Sequence, residues 1–271
     1  MISFAHIIHP VRVEETSDLF TAQPITFETM RIACEYARGV AAVKLYSVQY
    51  QDESDMVLPS HFTGVRKLSF SILDIKRFKQ KRKLARIKDI LDRLYESSPE
   101  EYMIYTNADI GLQPYFYEAV SKIAEKGYDA FVINRRTLPD TYKKIGQIPL
   151  MYAEPGMPHP GYDCFVFKRS LYPKFRLGDV CIGTAWIGRA LLANMLLNSE
   201  KFREFKDLHL TFHIGDSVVW RGAEYDDYFQ ENHKEYMKII GQLESEKGPF
   251  ETVTRSYLLD TGAQRQFPDF K

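Results

Sequence analysis

Asn107-Ala108-Asp109 ends the apolar run 102–105, and Pro114 follows before a new helical pattern begins. An amide and a carboxylate two residues apart, delivered by a buried strand, are oxygen ligands for a hard cation. A cation held by one or two protein oxygens keeps positions open for phosphate oxygens, and ligands of open α/β sheets lie at the carboxyl ends of the strands. The chemistry this suits is the handling of a nucleotide diphosphate. The same tripeptide also makes an ordinary strand-ending turn. Thr211-Phe212-His213-Ile214-Gly215-Asp216 ends a second strand in a ligand-capable residue, His213, or in a simple hydrogen-bonded surface histidine. The densest charge block runs Lys76, Arg77, Lys79, Lys81, Arg82, Lys83, Arg86, Lys88. Arg82 and Lys83 are placed to neutralise a diphosphate, since guanidinium matches phosphate geometry; most of the block reads equally well as a solvated helix face. Asn134-Arg135-Arg136 closes a further strand, so Arg135 either faces the same crevice or sits in a surface turn.

The elements that must position these groups alternate strand and helix. Strands are expected at 3–11, 40–48, 65–72, 102–106, 129–133, 163–167 and 208–214. Thr26 can cap a helix through Phe27, Met30, Cys34 and Ala37 that ends at Gly39. Leu84, Ile87, Leu91 and Leu94 repeat at helical spacing, and Phe116, Val120 and Ile123 mark a helix closed by Gly127. An apolar helix with Trp186 follows at 184–197, then a polar one at 228–243. Four βα units in about 135 residues predict an α/β fold with a mainly parallel, doubly wound sheet. The segment 137–162, with Pro139, Pro149, Pro155, Pro158 and Pro160, reads as a loop-rich cover. No repeat or linker divides the chain, which reads as a single domain, 1–271. Its nucleotide-binding half spans about 1–135, its acceptor-binding half about 136–250, and an unpatterned tail 251–271.

Composition narrows the function classes. Of 271 residues, 36 are Lys or Arg and 36 Asp or Glu, and 45% are apolar. Zero net charge argues against a nucleic-acid coat or a membrane-surface protein, and the basic block lacks the interleaved aromatics of single-strand binders. The three cysteines, Cys34, Cys164 and Cys181, read as reduced thiols of a cytoplasmic protein rather than a disulfide or zinc framework. Residues 1–11 are interrupted by His6 and His9 and form a strand better than a signal peptide. No run approaches the ~18 apolar residues of a membrane span. Gly-x-Gly-x-x-Gly, P-loop and Gly-x-Ser-x-Gly signatures are all missing. Oligomeric state leaves no mark in the sequence.

Asn-x-Asp at the end of a strand about a hundred residues in, with this order of elements over most of 1–220, resembles the GT-A-fold glycosyltransferases. Those enzymes move a sugar from a nucleotide-diphospho-sugar donor to a glycan or other hydroxyl acceptor. The resemblance implies a divalent cation, Mn²⁺ or Mg²⁺, bridging the donor phosphates, with Asp109, His213 and Asn107 as its ligands. Imidazole with carboxylate suits Mn²⁺ better than Ca²⁺, and Asp216 is an alternative as a partner orienting His213. Asn107 departs from the usual Asp-x-Asp and shifts the weight to Asp109. The resemblance further implies that His9 and Pro10, with the segment 23–26, border the nucleobase. An acceptor-side carboxylate should act as base, and Asp163 and Asp179 are the candidates, because Cys181-Ile182-Gly183-Thr184 lacks the acidic residue many inverting members carry there. Trp186 stacks on a sugar or packs in the core. Synthesis of surface or secreted polysaccharide is the setting the resemblance implies. Two other classes compete: a sugar-phosphate nucleotidyltransferase, which usually has a Gly-rich basic signature after the first strand, and a non-catalytic nucleotide- or carbohydrate-binding module of the same fold.

Overall fold

A computed structural model of the chain describes residues 1–53, 56–216 and 222–259. Nine strands form one sheet: β1 Ser3–Ile8, β2 Ala42–Ser47, β3 Phe62–Gly64, β4 Tyr102–Thr106, β5 Gly111–Leu112, β6 Ala130–Leu138, β7 Met157–Lys168, β8 Phe202–Phe205 and β9 Thr211–Ile214. Their order is β3-β2-β1-β4-β7-β6-β9-β5, with β8 beside β6. Parallel pairings predominate, as the βα alternation predicts; β7 runs antiparallel between β4 and β6, and β5 antiparallel to β9. That reversal brings the amino end of β7 to the carboxyl ends of its neighbours.

The central strands are apolar throughout because both faces are covered, and their side chains alternate between two cores. Along β4, Met103 and Tyr105 point into one core and Tyr102 and Ile104 into the other. The first core packs against α2 (Ile87–Ser97), α5 (Ile187–Asn198), α6 (Asp226–Lys247) and α7 (Thr252–Leu259), through Leu91, Leu192, Ile239 and Leu258. The second packs against α1 (Asp18–Tyr36) and α3 (Phe116–Glu125), through Met30, Ala33 and Val120. α4 (Ile148–Ala153) lies in the segment 137–162.

Four expectations are corrected. α1 begins at Asp18, capped by Ser17, so Thr26 and Pro24 lie inside it. Gln23 exchanges two hydrogen bonds with the backbone of Val11, pinning the segment that leaves β1. Residues 65–72 are not a strand: the edge of the sheet is the three-residue β3, and beyond it only a Tyr50–Leu68 bridge continues the pairing. The segment 137–162 contains α4 and the first half of β7, where Pro158 stands opposite Arg136 in a slipped register; a residue without an N–H cannot keep a regular ladder. Of the tail, residues 252–259 form α7, whose Tyr257 and Leu258 are buried.

β5 is fixed from three sides. Leu112 N–H donates to Thr29 Oγ1, Gln113 N–H donates to the Leu210 carbonyl, and Gly111 lies flat on the Phe212 ring. A Cβ on Gly111 would come within 2.4 Å of that ring. Gly111→Ala should therefore cost about 1–3 kcal/mol, as overpacking does, and should displace the turn before β5. Equilibrium urea unfolding checks it, and an unchanged midpoint would contradict this packing.

Candidate active site

The turn between β4 and β5 presents Asp109 to β9. β5 pairs with β9 through Gly111–Phe212, so the residues just outside that pair, Asp109 and His213, meet across the gap. His213 Nε2 stands 3.3 Å from Asp109 Oδ2. His213 Nδ1 is 2.8 Å from the Gly215 carbonyl; a carbonyl only accepts, so Nδ1 carries the proton and donates. The Gly215 carbonyl thus orients this ring at Nδ1, the role for which Asp216 was an alternative. Nε2 then turns its lone pair toward a carboxylate, an arrangement that calls for a second proton or a cation. Burial opposes charge on both groups. In Asp109 the His213 hydrogen bond and charge, helped by Arg135, outweigh it and hold the carboxyl below its ordinary value. In His213 burial lowers the pKa, but Asp109 more than restores it, and the imidazole sits above its ordinary value. Asp109 Oδ1 is buried with no hydrogen-bond partner.

Beside this pair Arg135 leaves β6. Its guanidinium lies 3.2 Å from Asp163 Oδ1, at the amino side of β7, and 3.6 Å from Asp216 Oδ1. Asp163 is buried and its Oδ2 has no hydrogen-bond partner. His159 completes the group. The Gly161 N–H donates to its Nδ1 at 2.9 Å, and its Nε2 lies 3.4 Å from the guanidinium and 3.9 Å from Asp216. Burial, then the Arg135 charge, lowers the His159 pKa. Among the described residues, three carboxylates thus face one permanent cation, a balance that favours binding a further positive charge.

A second constellation stands at the ends of β1 and β2. His9 Nδ1–H donates to the Val48 carbonyl at 2.8 Å, its ring meets Tyr50 edge-on, and its buried Nε2 has no partner. Burial brings its pKa down to about 4, against the raising effect of the Val48 bond, so the ring is neutral and Nε2 is a free acceptor. Pro10, also buried, turns the chain away. Lys83 lies 4.0 Å above the Tyr50 ring and pairs with Asp52, which brings it to the His9 pocket.

Other candidates are engaged elsewhere. Asn107 Oδ1 accepts the Tyr105 hydroxyl at 2.9 Å with one of its two lone pairs. Arg82 donates to the Gly183 carbonyl at 3.2 Å and covers the Tyr225 ring. Asp179 is bound at 2.7 Å by Arg86, which also grips Asp89, so it belongs to the junction of α2 with the loop before α5 rather than to the Asp109 group. Trp186 is not within a helix: it is the residue before α5, left-handed at φ 75°, stacked on His233 and with a buried, unpartnered Nε1. Strain of this kind in a non-glycine residue clusters at functional sites. Sequence reading passed over the roles of His159 and Tyr50. The signal for His159 was its spacing of four from Asp163, which puts both on one face of a strand.

No protein-family model and no curated protein matches the sequence. The three-dimensional likeness is extensive. The chain superposes on residues 1–349 of S. aureus TarS in complex with UDP with a TM-score of 0.55, at 10% identity, over 95% of this chain and 70% of that one. Against the same TarS segment in complex with UDP-GlcNAc the TM-score is 0.50, at 8% identity and the same coverage. The fold is GT-A-like. In this sheet Asn-x-Asp forms the turn after β4, Asp109 faces His213 of β9, and Arg135 of β6 faces Asp163 of β7.

The Asp109–His213 contact has a pH signature. The raised His213 value gives stability that is complete below its unfolded pKa of about 6.5 and is lost as pH rises through the folded value; the lowered Asp109 value gives stability present above about pH 4 and lost as pH falls through the folded value. In metal-free buffer the gap in melting temperature between wild type and Asp109→Asn should be widest between about pH 4 and 6.5. A gap that stays constant to pH 9 would show that the two groups do not share charge.

Proposed function

We propose that the chain is a glycosyltransferase that moves a sugar from a nucleotide-diphospho-sugar to a hydroxyl acceptor with the help of a divalent cation. The observation that carries this reading is the Asp109–His213 pair at the mouth of a GT-A-like sheet, next to a buried carboxylate with an unused oxygen. The residues present fit a cation. Two donors about 2.1 Å from an octahedral ion in neighbouring positions lie about 3 Å apart, and the observed separation is 3.3 Å. Asp109 also has a second, unpartnered oxygen. Among the described residues no third His, Cys, Asp or Glu completes a cage. That suits Mg²⁺ or Mn²⁺, which keep water and substrate phosphate in their shells. Bound there, the ion would act as a Lewis acid toward charge developing on the leaving diphosphate.

The chain's own groups supply the rest. His9 Nε2 offers an acceptor to a nucleobase N–H or a ribose hydroxyl, with Tyr50 and Lys83 beside it. Arg135 holds Asp163 by one oxygen and leaves Oδ2 to take the proton of the attacking hydroxyl. As the new C–O bond forms at the anomeric carbon, the bond to the diphosphate oxygen breaks and its electron pair leaves with the nucleotide. TarS bound to UDP and to UDP-GlcNAc supports a uridine nucleotide as the first donor to try.

Thermal unfolding with UDP and Mn²⁺ together should show stabilisation of about 2.7 kcal/mol at 100-fold over the dissociation constant, lost in Asp109→Ala. The apparent affinity should rise with pH up to the His213 pKa, because binding displaces the imidazole proton. Asp163→Asn should keep nucleotide binding and lower transfer by about 10²–10⁴-fold. Stabilisation by nucleoside triphosphate with a sugar phosphate would instead favour a nucleotidyltransferase. Binding without sugar release across a full donor and acceptor panel would leave a non-catalytic module.

A further inference from the structure

The Arg135–Asp163 pair sits at a break in the sheet. β6 pairs with β8 up to Ile133–Phe205, and its pairing with β9 starts only at Arg136–Phe212. On its other edge the register against β7 slips on both sides of Asn134. Asn134 and Arg135 therefore belong to a bulge that ladder bonds define poorly, and bulges of this kind re-aim side chains. A different bond defines it. Asn134 Nδ2 donates to Glu204 Oε1 at 3.0 Å, and a carboxylate, which only accepts, fixes which way the buried amide faces. Glu204 Oε2 in turn accepts the Tyr257 hydroxyl of α7 at 2.9 Å. α7 is anchored by its own carbonyl: Leu258 O accepts from Tyr236 Oη at 2.7 Å and from Arg189 Nη1 at 2.8 Å, with Arg189 buried.

We infer that Glu204 is a positioning residue, holding the Asn134 bulge so that Arg135 meets Asp163, and that α7 sets Glu204 through the Tyr257 hydroxyl. The helix at the end of the described chain is then part of the catalytic geometry. The role assigned to Asp163 rests on the glycosyltransferase reading; the hydrogen-bond relay does not.

Two variants of the full chain test it, Tyr257→Phe, which keeps the packed ring, and Glu204→Gln. The first readout needs no substrate: the ¹⁵N–¹H resonance of Arg135 Nε, a buried N–H, assigned by its loss in Arg135→Lys. It should be sharp in wild type and shift or broaden in both variants, while UDP binding with Mn²⁺ stays unchanged. The second is turnover with whichever donor the wild type uses: kcat should fall about tenfold, equivalent to ~1.4 kcal/mol of barrier, at unchanged donor KM. Asn134→Ala combined with Tyr257→Phe should lose no more than Asn134→Ala alone, because both act through one relay. An unaltered Arg135 signal in a folded Tyr257→Phe protein overturns the inference, as does additive loss in the double variant. If Glu204→Gln fails to fold, Tyr257→Phe decides alone. A wild type without transfer activity defeats the functional reading but leaves the resonance test intact.

Discussion

Among the described residues, the groups at the mouth of this sheet depend on one half-buried guanidinium shared among carboxylates. Arg135 binds Asp163 directly, reaches Asp216, and adds its field to the pull that keeps Asp109 ionised. Removing one partner of such a pair leaves an uncompensated buried charge, which costs far more than the pair itself contributes. The constraint runs in both directions. The carboxylates repel one another, and the fixed positive charge of Arg135 is what lets them gather.

The architecture makes the gathering possible by a reversal of direction. Asp163 directly precedes Cys164, the residue of β7 paired with the last residue of β4, and a parallel β7 would carry the chain before Cys164 back along β4 instead of past its end. Because β7 runs antiparallel between β4 and β6, its entry comes to their exit, with Cys164 opposite both Thr106 and Ile133. The price is a slipped register at Asn134, and the side-chain bonds of Glu204 replace the ladder there. β9 brings His213 up beside β6, and the flat Gly111–Phe212 contact lets β5 carry Asp109 close to it.

A division of labour follows. The His9, Tyr50 and Lys83 constellation at β1 and β2 is neutral at its acceptor atom and rich in ring surface. The Asp109, His213, Arg135 and Asp163 group is charged. Trp186, strained and with its indole N–H unsatisfied, lies before α5 on the flank where Tyr162 packs against Gly188. Its ring packs against the first core beside Phe229, His233 and Tyr236.

The sequence by itself determined the alternation of strand and helix, because apolar period and turn residues are local properties. It also determined the Asn-x-Asp turn, since a buried strand that stops at polar residues is visible in one dimension. It placed His213 near the end of its strand for the same reason, whereas Arg135, expected to close a strand at 133, lies within β6, which runs on to Leu138. Only the tertiary structure decided which of these groups meet. Asp163 and Asp179 look alike as carboxylates near strand and helix boundaries, and what separates them is that β7 reverses and that Arg86 from α2 captures Asp179. The bond from the Tyr105 hydroxyl to the Asn107 oxygen likewise appears only in three dimensions. The helix 252–259 has too few residues and too weak a pattern to announce itself, and it exists through long-range bonds to Arg189, Tyr236 and Glu204 that no local periodicity encodes.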